Sequence, residues 1–147
     1  MNYQYAKHDD IPHIIQMKQA MFEEAGVAMG ASTEQLLKFY HNYYDEEKAF
    51  HFILVVDESP VAMAGGFLKM DFPFCLYPNP MYGFVGDVFV MPEYRRQGHA
   101  RILSNQVIQQ LKQQGVDTIR LLASDTAKPL YQQLGFKDSD MMVMHTK

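Results

Sequence analysis

The chain has 147 residues, a formal charge of −4, and 48% hydrophobic against 20% charged residues. That length and balance exclude a disordered chain and support one domain over residues 1–147 with a core that needs no metal or disulfide staple. No apolar run approaches the ~20 residues that span a membrane, and net acidity argues against nucleic acid as a partner.

Around Tyr3 and Tyr5 apolar and polar residues alternate, which predicts a short first strand ending near Lys7. Asp9 or Asp10 then caps a helix with Pro12 in its first turn, and Ile11, Ile14, Ile15, Met21 and Phe22 form its inward face up to Gly26. Residues 27–31 read as a link, and Ser32 with Gln35 forms a capping box for a second helix ending near Glu47. Residues 50–56 are nearly continuous apolar sequence, as in a strand buried on both sides. A turn over 57–60 leads into a second strand over 61–70, where Gly65 and Gly66 imply a bulge or a close backbone approach. The segment 71–80 carries three prolines among aromatics and reads as an ordered loop. Its aromatics, with Tyr82, either close the core or line a pocket.

A Val- and Phe-rich strand follows over 87–91, stopped by Pro92, and a helix runs from Gly98 to Gln114 with Ala100, Leu103, Val107 and Leu111 on one stripe, ended by Gly115. A strand over 118–123 comes next, then a short helix capped by Ser124 or Asp125 and stopped at Gly135, and a last strand centred on 141–144. Hairpin strands first, and strands alternating with helices afterwards, predict an α/β fold with a mixed central sheet and helices on both faces. The opening residues lack the basic and apolar regions of a secretory signal, and the lone Cys75 can close no internal disulfide, so a cytoplasmic location is the default expectation. Six histidines fall without ligand spacing, so no metal is expected.

The chemistry concentrates at residues 86–100, G-D-V-F-V-M-P-E-Y-R-R-Q-G-H-A, where a strand empties into a helix start. Unpaired N–H groups of a first helical turn favour an anion, small residues at Gly98 and Ala100 let it approach, and Arg95, Arg96 and Arg101 supply forked donors. Three positive charges suit a pyrophosphate and a ribose phosphate, while the acidic remainder of the chain would tolerate a cationic amine.

The pattern Arg95-x-x-Gly98-x-Ala100 resembles the acetyl-CoA motif (Q/R-x-x-G-x-G/A) of the GCN5-related N-acetyltransferases, the GNAT family. Downstream, A-K-P-L-Y-Q-Q-L-G-F over residues 127–136 resembles the family's A-x-x-L-Y-x-x-L-G-F signature. The resemblance covers strand and helix order from about Ala49 onward. It implies a GNAT-like acyl-CoA fold, acetyl-CoA as donor, and a small-molecule or peptide amine as acceptor. Polyamine, aminoglycoside, amino acid and peptide N-terminus all stay open, and terminal strands of such folds often pair in a homodimer.

Residue by residue, the resemblance implies that the backbone of Val88, Phe89 and Val90 pairs with the pantetheine arm. Arg95, Arg96, Gln97, Gly98, His99 and Ala100 would hold the pyrophosphate. His99 stands at a variable position of the motif, where an exposed helix residue is the favoured reading. Tyr131 would protonate the departing thiolate. Ser124 stands where the family commonly has Asn and can still cap a helix and donate to CoA. Asp87, at the head of the strand, is the candidate base; buried, its carboxyl would rise in pKa and need a partner. The two helices that border the acceptor site in the family correspond to the first two here, and the 71–80 loop would bring Phe72, Phe74 and Tyr77, with Tyr82, to its mouth. Two readings follow: an acetyl-CoA-dependent N-acetyltransferase working by direct attack in a ternary complex, or a non-catalytic acyl-CoA-binding regulatory module.

Overall fold

The computed structural model describes residues 1–73, 77–139 and 141–147. Its elements are β1 (Asn2–Tyr5), α1 (Ile11–Ala25), α2 (Thr33–Asp45), β2 (Ala49–Val56), β3 (Ser59–Met70), β4 (Met81–Val90), α3 (His99–Gln113), β5 (Ile119–Leu121) and α4 (Lys128–Gln133). The strands form one sheet in the order β1-β2-β3-β4-β5, antiparallel except for the parallel β4–β5 pair.

Alternation along the strands sends each side chain to one of two helix layers. Phe50 and Leu54 of β2, Ala62 and Ala64 of β3 and Val85 of β4 pack with Leu103, Val107 and Leu111 of α3. On the opposite face Ile53, Met63 and Phe89 meet Ile14 and Met17 of α1, while Ile11 and Ile15 join Leu36 and Tyr40 of α2. Fully buried leucines and valines of α3 each contribute about 1.5–3 kcal/mol, so this helix is held as firmly as the sheet it covers. The expected mixed sheet with helices on both faces is the observed one.

Two local features shape the site. The β2–β3 hairpin closes through Asp57 and Glu58, both at positive φ (50° and 66°), a tighter turn than the four residues expected. In β4, Asp87 takes φ 52°, and the β3–β4 register slips between Met63 and Gly65. This is a bulge: Val85, Val88 and Val90 turn to the α3 layer, whereas Phe89 faces α1. Gly65 is required opposite it, because a Cβ there would stand 2.8 Å from His51 Nε2 and 3.1 Å from the Gly86 carbonyl.

Several boundaries differ from the sequence expectation. The strand that carries Asp87 starts at Met81, six residues earlier than read, because Tyr82 to Phe84 pair with β3. The 118–123 strand shortens to Ile119–Leu121, the only residues of it with a ladder to β4. The short helix begins at Lys128 rather than at a Ser124 or Asp125 cap, although Ser124 Oγ accepts from the Ala127 N–H at 3.2 Å. The last strand centred on 141–144 is absent among the described residues: Met141, Met142, Val143 and Met144 are exposed and outside any element. β-propensity is expressed only where a neighbour supplies a ladder, and the two edge strands here are four and three residues long. The expectations for Phe74 and Cys75 lie outside the described residues.

Candidate active site

Asp87 is the centre of a buried polar cluster. Its Oδ1 accepts from Lys18 Nζ at 2.6 Å, and its Oδ2 accepts from Tyr40 OH at 2.6 Å and from His51 Nε2 at 3.0 Å. His51 carries its proton on Nε2 in this arrangement, leaving Nδ1 to accept from Tyr44 OH at 2.7 Å. α1 brings Lys18, α2 brings Tyr40 and Tyr44, β2 brings His51, and the β4 bulge turns Asp87 toward all of them. Burial alone would raise the Asp87 pKa, as expected from sequence. The hydrogen bond from His51 and the charge and hydrogen bond of Lys18 outweigh it, so the carboxyl is held well below the ordinary range and is ionised. Burial raises the Tyr40 and Tyr44 phenols far above the usual value, with the Asp87 charge adding to it, so both act as donors.

Two cavities have Asp87 in their lining. One, about 810 Å³, runs from Phe84 and Gly86 along the end of β4 to the start of α3 and on to Tyr131. It exists because β5 pairs with β4 only over Gly83 to Val85, so the backbone from Gly86 to Val90 faces a gap where the sheet splays. Every sequence-predicted site residue except Gln97 lines this cleft: Asp87, Val88, Phe89, Val90, Arg95, Arg96, Gly98, His99, Ala100, Ser124 and Tyr131. The second cavity, about 750 Å³, opens between α2 and the β3–β4 strands and shares Phe84, Gly86 and Asp87 with the first.

At the helix start, Gly98 is the N-cap of α3 with φ 85° and offers no side chain to satisfy the first-turn N–H groups. A Cβ at Gly98 would point into open space, so the turn leaves a cradle over those donors. That geometry, lined by Arg96 and Arg101, fits the pyrophosphate of an acyl-CoA. Three neighbours have side-chain partners of their own. Arg95 is committed elsewhere: its fork holds Glu24 of α1 at 2.9 and 2.8 Å, and its Nε donates to the Val90 carbonyl at 2.7 Å. His99 is buried, not exposed, because Tyr3 of β1 bonds its Nδ1 at 2.5 Å. Gln97 turns to His99 Nε2 at 3.3 Å instead of the cleft.

Tyr131 sits on α4, buried at the cleft wall with its ring edge-on to Phe136 at 6.0 Å. Burial raises its pKa, with the nearby Ser104 hydroxyl offsetting part of the rise, so the phenol is protonated and has a proton to give. The expected pocket aromatics differ. Phe72 is 86% exposed, and Tyr77 and Tyr82 face the Arg120 guanidinium at 4.9 and 4.1 Å. The second cavity takes its aromatic wall from Phe39, Tyr40 and Tyr43 of α2 with Phe67 and Phe84 of the sheet.

Sequence reasoning missed Lys18 and His51. Both left a signal: Lys18 falls at i+3 and i+4 from Ile15 and Ile14 on the apolar stripe, and His51 interrupts an apolar strand. A polar group in either place needs a buried partner.

The sequence matches the family model described as "Acetyltransferase (GNAT) family" over residues 14–136. A curated relative, "Uncharacterized N-acetyltransferase ycf52" of Pyropia yezoensis, is 37% identical over 63 residues; the match covers 42% of this chain and only 36% of that protein. Among solved structures, a predicted acetyltransferase with acetyl-CoA from Clostridium acetobutylicum superposes with a TM-score of 0.88 at 20% identity, covering 99% of this chain and 95% of the other. An aminoglycoside 6'-N-acetyltransferase from Acinetobacter haemolyticus does so with 0.76 at 19% identity, covering 100% and 98%.

Proposed function

Because the chain belongs to the GNAT family of acetyltransferases, we propose that it transfers an acetyl group from acetyl-CoA to a primary amine by direct attack in a ternary complex. The observation that carries this reading is that two cavities share Phe84, Gly86 and Asp87 in their walls. A donor in the β4–α3 cleft and an acceptor in the α2-side pocket would approach each other at these shared residues. The structure with acetyl-CoA from Clostridium acetobutylicum, similar in fold along nearly the whole chain, supports acetyl-CoA as the donor.

In this reading the β4 backbone from Val88 to Val90 receives the pantetheine arm as an added strand, and the Gly98 cradle with Arg96 and Arg101 receives the pyrophosphate. Ser124, at the cleft wall, adds a hydroxyl donor. Asp87 orients the acceptor amine. Its ionised carboxylate is already held by three donors, so it is a weak base, and the proton of the acceptor passes to water at its edge. The new N–C bond forms as the thioester C–S bond breaks, a backbone N–H near Val90 stabilises the oxyanion, and Tyr131 protonates the leaving thiolate.

Tyr131→Phe tests this assignment. Turnover should fall by about 10²–10⁴-fold, the usual contribution of a positioned acid, with acetyl-CoA affinity nearly unchanged. Unaltered turnover would remove Tyr131 from the mechanism. With Asp87 ionised throughout, the acidic limb of kcat/KM against pH should track the pKa of each amine tried, and a limb that stays fixed across amines would contradict that role.

A further inference from the structure

The α2-side pocket has a charge opposite to that of the chain. Its lining contains three lysines, Lys18, Lys48 and Lys69, and one acid, Asp87. Both Asp87 oxygens are occupied, Oδ1 by Lys18 and Oδ2 by Tyr40 and His51. Lys48 is paired with Glu46 at 3.1 Å. Lys69 has no carboxylate partner among the described residues and holds its ammonium 4.0 Å over the Phe84 ring, in the lining of the pocket. A polyamine or an aminoglycoside brings several ammonium groups and needs several carboxylates. This pocket has one, already shared, and the whole-chain charge of −4 does not reach it.

We infer that the acceptor is an amine that also carries an anionic group, joined to it by an extended apolar body, with the amine at Asp87 and the anion at Lys69. The assignment rests on the acetyltransferase reading for the amine end alone. Phe84 lies three residues from Asp87 along β4, which at about 3.3 Å per residue puts roughly 10 Å between their backbone positions. That span exceeds the amine-to-carboxylate distance of a free amino acid and matches a short peptide or a compound of similar reach. Phe39, Tyr43 and Phe67 supply the apolar wall between. Lys69 is then a specificity-determining residue outside the reacting atoms.

The test is calorimetric titration of the enzyme, with and without saturating CoA, by Gly-Phe-Gly and Gly-Gly-Phe, each as free acid and as C-terminal amide, and by spermidine and kanamycin. The free acids should bind at least ten-fold more tightly than their amides and more tightly than either polycation. In Lys69→Met the advantage of acid over amide should narrow to less than three-fold, with the melting temperature unchanged. Equal binding of acid and amide, no binding by any of the peptides, or tighter binding of spermidine or kanamycin overturns the assignment. Thiol release from acetyl-CoA, followed in parallel, reports on the underlying reaction: charge preference without thiol from any amine would keep the pocket assignment and remove the acetyltransferase reading.

Discussion

Replacing Gly98 with valine is expected to weaken acetyl-CoA binding by about 100-fold, or about 2.7 kcal/mol. Gly98 stands at φ 85°, where an L side chain costs about 1–2 kcal/mol, and more when it is β-branched. A Cβ there meets nothing within 4 Å, and Gly98 lines the cleft at the start of α3. The valine methyls would therefore occupy the space the proposed pyrophosphate needs, and relieving φ would move the donors themselves. Gly98→Ala separates the two effects. It carries the ordinary cost of an L side chain at this φ without the β-branched addition and fills less space, so affinity should fall in the order glycine, alanine, valine. Calorimetry with acetyl-CoA measures it, and a valine variant with wild-type affinity would show that the turn does not bind the donor.

The second large effect is expected at Asp87→Asn. Lys18, Tyr40 and His51 all donate to this carboxylate, and an amide offers one acceptor oxygen and turns two further donors toward them. Lys18, whose side chain is 19% exposed, loses its counter-charge. Breaking a buried ion pair by removing one member costs about 3–5 kcal/mol, and the residual solvent access of Lys18 places this one near the low end. At about 2–4 °C per kcal/mol for a chain of this size, the melting temperature should drop by roughly 10 °C. The pH dependence has a definite sign. A carboxyl with a lowered folded-state pKa stabilises the fold above its unfolded value of about 3.9, and this is lost as pH falls below that value toward the folded one. The stability gap between wild type and variant should therefore be full at pH 7 and shrink below about pH 4. A gap of constant size down to pH 3 would mean that the Asp87 charge contributes nothing to the fold.

What the sequence made legible follows from which forces are local. The proposed donor cleft is built from consecutive residues, Asp87 to Ala100, and from one short helix, so a strand, a proline, a glycine and a tyrosine at fixed spacing pointed to the residues that line it. The proposed acceptor side is assembled from α1, α2, β2 and β4, and no spacing within one segment announces that Lys18, Tyr40 and His51 converge on Asp87. Their convergence also reverses the expected direction of the Asp87 pKa, since partners 36 to 69 residues away in sequence decide it. Arg95 shows the converse: it fits the motif and lines the cleft, and a partner that no local spacing announces, Glu24, 71 residues away, holds its fork. The 141–144 segment has the composition of a strand and no ladder to join, so propensity alone misplaced it.

The central claim is that the β4–α3 cleft binds acetyl-CoA, and calorimetric titration of the wild-type protein with acetyl-CoA tests it most directly. The structure predicts one site per chain with a micromolar Kd, about −8 kcal/mol. Binding no tighter than ~1 mM, about −4 kcal/mol, would reduce the kinship to one of fold and withdraw the enzymatic reading.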